Sequence, residues 1–114
     1  MKLNLKFNAM KVDEIEKSKG LSIENCIADD TINNLCLFIQ KGLIDDNGRH
    51  GVSRTVALEV IDEYLKDSDK NELLLDIMEA LVDAGFLSRT LDMKAMREVT
   101  KRKTAEATEK MNSL

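Results

Sequence analysis

The chain has 114 residues, no Pro, no Trp, one His and two Cys, with 43% hydrophobic and 33% charged residues. That length supports one hydrophobic core, and so few Cys and His exclude both a disulfide framework and a metal site of four Cys/His ligands. The net charge of −4 is mild, the opening MKLNLKFN places charges where a signal peptide needs an apolar run, and no stretch approaches the ~18 apolar residues of a membrane span, so a reducing cytoplasm is the expected setting.

Lys2 to Phe7 alternates, with Leu3, Leu5 and Phe7 on one side and Lys2, Asn4 and Lys6 on the other. Period two predicts a short half-buried strand. Its partner is open: Leu43 to Val52, with the turn dipeptide Asn47-Gly48, can form a small hairpin and pair with it, and a second chain can do so as well. Asn8 is placed to cap a helix running to about Lys19, with Val12 and Ile15 inward. Gly20 then Leu21 predict a left-handed stop with an apolar clasp. Ser22 starts a short turn through Ile27. Thr31 caps the next helix, whose wide apolar face holds Ile32, Leu35, Cys36, Phe38 and Ile39, and Gly42 ends it.

Asp45 to Gly51 is a polar loop with two glycines. Ser53 caps a helix with Val56, Ala57, Val60, Ile61, Tyr64 and Leu65 at i, i+3, i+4 spacing. Asp69 and Glu72 form a capping-box-like start. The helix after them buries Leu73, Leu74, Ile77, Met78, Leu81 and Val82, and stops at Gly85 with Phe86 packing back. Thr90 or Asp92 starts a last helix with Met93, Met96 and Val99 on one stripe. The predicted fold is mainly α: a compact bundle of four to five helices with a short N-terminal β-strand, able to pair in a small hairpin. Short loops make consecutive helices neighbours.

Charge and apolar content divide near one point. Residues 1–86 carry 10 Lys and Arg against 17 Asp and Glu, a balance of −7, and residues 87–114 carry 7 against 4, a balance of +3. Of the Ile, Leu, Val and Phe residues, only Val99 and Leu114 lie beyond Leu91. Residues 1–91 therefore read as the helical domain. Residues 92–114 read as a basic C-terminal helix that frays into a disordered tail, with too little apolar surface to offset its ordering entropy.

Chemistry is sparse. His50 lies in a loop without a nearby Cys, and Cys26 and Cys36 form no CxxC. Asp45-Asp46-Asn47-Gly48 resembles a calcium loop, but Gly48 in its sixth position puts Leu43 first and Arg54 twelfth, and neither is a ligand. Neither GxGxxG nor GxxxxGK[ST] occurs. Acidic groups such as Glu72, Asp76 and Glu79 read as a solvated helix face. No catalytic, cofactor-binding or metal-binding residue is expected. Two features remain as binding candidates. One is a soft apolar edge of Phe86, Leu87, Leu91, Met93, Met96 and Val99, suited to a partner. The other is the basic set Lys94, Arg97, Lys101, Arg102 and Lys103, which could contact phosphates, although Glu98, Glu106 and Glu109 interrupt it and no aromatic residue interleaves for stacking.

Three stretches carry a family resemblance: KLNLKFNAMKVDEIEKSKGLSI, TINNLCLFIQKGLIDDNGRHGVSRTVALEVIDEYLKD and NELLLDIMEALVDAGFLSRT. The first looks like a basic-hydrophobic strand, helix and Gly turn, the second like a central helix–loop–helix, the third like a closing amphipathic helix. Together they resemble the tail assembly chaperones of long-tailed bacteriophages, particularly phages of Gram-positive hosts. The resemblance covers most of residues 1–90. It implies a non-enzymatic protein that holds the tape measure protein soluble and helps recruit tail tube subunits around it. Such a protein acts in the host cytoplasm and is not kept in the mature virion. The resemblance also implies, for many members, a longer frameshifted form. The family has no shared active-site motif, so the binding candidates rest on the patches above. The alternative reading is a small helical regulator that binds nucleic acid through the basic C-terminal helix, with residues 53–86 as a helical reader. A third is a structural subunit of an assembled particle. A homo-oligomer is the remaining expectation, from the open partner of the N-terminal strand.

Overall fold

Short polar side chains mark the helix starts, because the first N–H groups of a helix have no partner within it. Asn8 Oδ1 accepts from the Lys11 N–H at 2.9 Å, opening helix α1, Ala9–Lys19. Thr31 Oγ1 accepts from Asn34 at 3.3 Å ahead of α3, Ile32–Gly42. Ser53 Oγ accepts from Val56 at 3.2 Å ahead of α4, Arg54–Tyr64, and Asp69 Oδ1 from Glu72 at 2.9 Å ahead of α5, Lys70–Asp83. The short α2, Ile23–Cys26, is the exception. Ser22 makes no side-chain cap there, and the Ile23 N–H donates instead to Glu16 Oε2 of α1 at 2.8 Å. A further helical segment covers 93–99, with Asp92 Oδ1 accepting from the Ala95 N–H at 3.0 Å.

This computed structural model describes residues 1–45, 48 and 51–99. It is mainly helical and compact, with no β-sheet among those residues. The polar loop expected at Asp45 to Gly51 falls largely outside them, including His50 and the Asn47 half of the turn dipeptide.

The core gathers on α3, which packs against α1, α4 and α5. Ile15, Leu35, Phe38, Ile39, Leu73, Ile77 and Leu81 are fully buried. Burial of one such side chain contributes about 1.5–3 kcal/mol. Asn34 is the buried polar residue of this core, and its Nδ2 donates to the carbonyls of Cys26 at 2.8 Å and Asp29 at 2.6 Å. It thereby ties α3 to the turn after α2.

The alternation at Lys2–Phe7 is read differently in three dimensions. It makes one isolated antiparallel bridge, Leu5 to Leu43, rather than a strand of a sheet. Lys6 N–H donates to Gly42 O at 2.9 Å and Ile44 N–H to Asn4 O at 3.0 Å. The alternation still decides which side chains turn inward: Leu3, Leu5 and Phe7 pack on the core, and Lys2, Asn4 and Lys6 are exposed.

Gly42 ends α3 as expected, but without the positive φ that Gly20 and Gly85 have at 68° and 87°, and three other finer expectations are corrected. The hydrogen side of Gly42 is where the Phe7 ring lies, and a β-carbon there would overlap that ring. Phe7 in turn meets Phe38 edge-on, with centroids 6.0 Å apart and planes at 74°. Leu21 remains exposed, so the α1 stop rests on Gly20 and the Leu21 N–H to Glu16 O bond at 3.3 Å, without the apolar clasp. Ile32 and Val56 sit in the first turns of α3 and α4 and are 40% and 41% exposed. On α5, Leu75 is buried, while Leu74 and Met78 are half-buried against the core.

Candidate partner-binding surface

The surface starts at the end of α5. Gly85 N–H donates to Val82 O at 3.0 Å and Phe86 N–H to Leu81 O at 2.9 Å. This paired stop needs the left-handed backbone that Gly85 provides. The turn throws Phe86 and Leu87 back onto the domain: Leu87 is buried in the core and Phe86 is half-buried against it. A second turn follows, with Thr90 N–H donating to Ser88 Oγ at 3.3 Å and Leu91 N–H to Ser88 O at 3.2 Å. Asp92 then starts the helical segment 93–99.

That segment lies against α5. Arg97 Nη2 donates to Asp76 Oδ1 at 2.7 Å and to Glu79 Oε2 at 2.6 Å. Burial works against the guanidinium charge, but these hydrogen bonds outweigh it and hold the Arg97 pKa above its usual value. Asp76 is shared, because its other oxygen accepts from Tyr64 OH at 2.6 Å. Burial first, and then that bond to Asp76, push the Tyr64 hydroxyl pKa well up. Tyr64 on α4, Asp76 and Glu79 on α5, and Arg97 thus form one chain of charge-assisted bonds.

The apolar candidates divide by depth. Leu87 belongs to the protein's own core, and Phe86 and Met93 pack against that core. Met96 is half-buried, whereas Leu91 and Val99 are 36% and 43% exposed. The outward apolar edge is therefore narrower than the six residues read from the sequence, and it centres on Leu91, Met96 and Val99. The basic candidates divide too. Lys94 is exposed, Arg97 is engaged by two carboxylates, and Lys101, Arg102 and Lys103 lie outside the described residues.

Sequence reasoning missed the seat for Arg97. Asp76 and Glu79 share one α5 face, and their spacing gives no hint of a cation 18 and 21 positions away. Tyr64 offered the one signal, since a buried phenol needs a hydrogen-bond partner.

Neither thiol is exposed. Cys26 and Cys36 are free and buried, and burial pushes the Cys26 thiol pKa up. Among the described residues no group of three or more His, Cys, Asp or Glu could hold a metal ion. No helix among them is long and apolar enough to cross a membrane. No protein-family model matches the chain, and no curated protein or solved structure is significantly similar to it.

Proposed function

We propose that this chain is a tail assembly chaperone of a long-tailed bacteriophage. It binds the tape measure protein, keeps it soluble and helps recruit tail tube subunits around it. In this reading it is not an enzyme, acts in the host cytoplasm and leaves before the virion is complete. Residues 1–91 serve as a bundle of four to five helices, and residues 92–114 as its basic appendage.

The observation that carries the reading is the edge at 91–99. Exposed Leu91 and Val99, with half-buried Met96 between them, lie on a segment anchored to an acidic helix by Arg97. A holder of a long, aggregation-prone helical partner needs exposed apolar surface next to charge that keeps the complex soluble. The resemblance of residues 1–90 to the chaperone family supplies the identity of that partner.

The test is co-expression with the tape measure protein encoded in the same tail gene cluster. The unaltered chain should raise the soluble yield of that protein, and a Leu91→Glu, Val99→Glu double variant with an unchanged helical circular dichroism spectrum should lose the effect. An unchanged yield with the unaltered chain would overturn the proposal.

A further inference from the structure

The N-terminal segment makes main-chain bonds on one edge. Asn4 O and the Lys6 N–H serve the bridge to 42–44. In an extended chain, the N–H and C=O groups of alternate residues point to opposite edges. Those of Leu3, Leu5 and Phe7 therefore point outward, and no backbone hydrogen bond is made to them among the described residues. Beside Leu3 and Leu5 runs a groove of about 270 Å³, whose far wall on α5 carries Glu79, Ala80 and Asp83.

We propose that this edge is a docking strand for a second copy of the chain. Lys2–Phe7 of each copy pairs antiparallel with the other across a two-fold axis. The two bridges to 42–44 then join into one four-stranded sheet.

The sequence KLNLKFN selects a copy as the occupant. In a hydrogen-bonded antiparallel pair both residues must offer outward groups, so odd residues must face odd residues. Four registers that pair at least three residues of Lys2–Phe7 satisfy this. Leu3 opposite the partner's Leu3 sets Lys2 against the partner's Asn4 but pairs only residues 2–4 of the segment. Leu3 opposite the partner's Leu5 sets Lys2 against the partner's Lys6. Leu5 opposite the partner's Phe7 sets Lys6 against the partner's Lys6. Leu5 opposite the partner's Leu5 matches Leu3 with Phe7, Asn4 with Lys6, and Lys2 with Asn8. Of the registers that pair five residues of the segment, only the last avoids directly opposed like charges, which are destabilising. It also puts apolar side chains across from apolar ones on the inner face and forms about six main-chain hydrogen bonds. Edge lysines ordinarily guard a strand against pairing. Here each faces an asparagine across the strand, and the carboxylates of α5 line the adjacent groove. This interface is independent of the tape measure reading and stands or falls separately.

The experiment uses the full chain. Light scattering after size exclusion should give the mass of a dimer. In the two-fold register Asn4 and the partner's Lys6 form a non-hydrogen-bonded pair with Cα atoms about 4.5 Å apart, within disulfide reach. Oxidation of a mixture of Asn4→Cys and Lys6→Cys variants should therefore give mainly the mixed disulfide, over either variant linked to itself. The native Cys26 and Cys36 are buried, so the unaltered chain serves as the blank. Leu5→Pro removes an N–H that the intrachain bridge does not use, and should give a monomer with an unchanged helical spectrum. A monomeric unaltered chain, a preference for the Lys6→Cys self-disulfide, or a Leu5→Pro variant that remains dimeric would each overturn the proposal.

Discussion

Gly42 and Gly85 both stand at helix ends, yet alanine should harm them for different reasons. At Gly42 the obstacle is the Phe7 ring, whose Cε1 would lie 2.6 Å from the new β-carbon. Overpacking of this kind costs about 1–3 kcal/mol, and a Phe7→Leu change in the same chain should recover much of it. At Gly85 the obstacle is the backbone itself, held at φ 87°. The cost there is about 1–2 kcal/mol, and Phe7→Leu should recover none of it. Urea unfolding of the two single and two double variants separates these cases. Asp29 gives a second expectation. The Thr31 N–H, and then Lys19, hold its carboxyl at a pKa of about 2, below the ordinary 3.8. Because the folded value is the lower one, the contribution of Asp29 to stability is complete above about pH 3.8 and is lost as pH falls through about 2. An Asp29→Asn variant should therefore be less stable than the unaltered chain near neutral pH. The gap, followed by thermal unfolding, should close as the medium is acidified across that range.

At the scale of elements, the segment 93–99 should be the most easily released part of the described chain. Its polar hold is Arg97 on Asp76 and Glu79, and its apolar hold is Met93 against the core. Partly exposed ion pairs contribute about 0–1 kcal/mol each. Arg97→Ala should thus speed amide hydrogen exchange across 93–99 while moving the urea midpoint of the whole domain little. An equal loss of protection in α3 would contradict this. The helices themselves were legible from sequence because their caps act within three residues: Asn8, Thr31, Ser53 and Asp69 each accept a bond at i+3. Gly20 and Gly85 were legible for the same local reason. Gly42 was legible as a helix end, but the reason for a glycine there was not, because it is a ring 35 positions earlier in the chain. Ile32 and Val56 carried the right spacing, but both fall in first turns that the neighbouring helices leave uncovered. Alternation gave the inward face of Lys2–Phe7 correctly, but it cannot say how many strands will lie alongside. The engagement of Arg97 depends on where α5 and the last segment cross, so the basic set looked more available for phosphate than the described part of it is.

Across the whole molecule, an acidic helical body and a basic C-terminal stretch share one short chain, with balances of −7 over residues 1–86 and +3 over 87–114. The body commits Asp76 and Glu79 to Arg97 at the boundary between the two. Beside that junction lie the exposed side chains Leu91 and Val99. This combination fits a protein that carries another protein better than one that grips a polyphosphate backbone, which the acids of α4 and α5 would repel. The most direct measurement of the proposed chaperone role is size-exclusion chromatography of the purified chain mixed with the tape measure protein of a long-tailed phage. The two should elute together as a soluble complex, and Leu91→Glu, Val99→Glu should abolish co-elution. Separate elution of the two unaltered proteins would contradict the account.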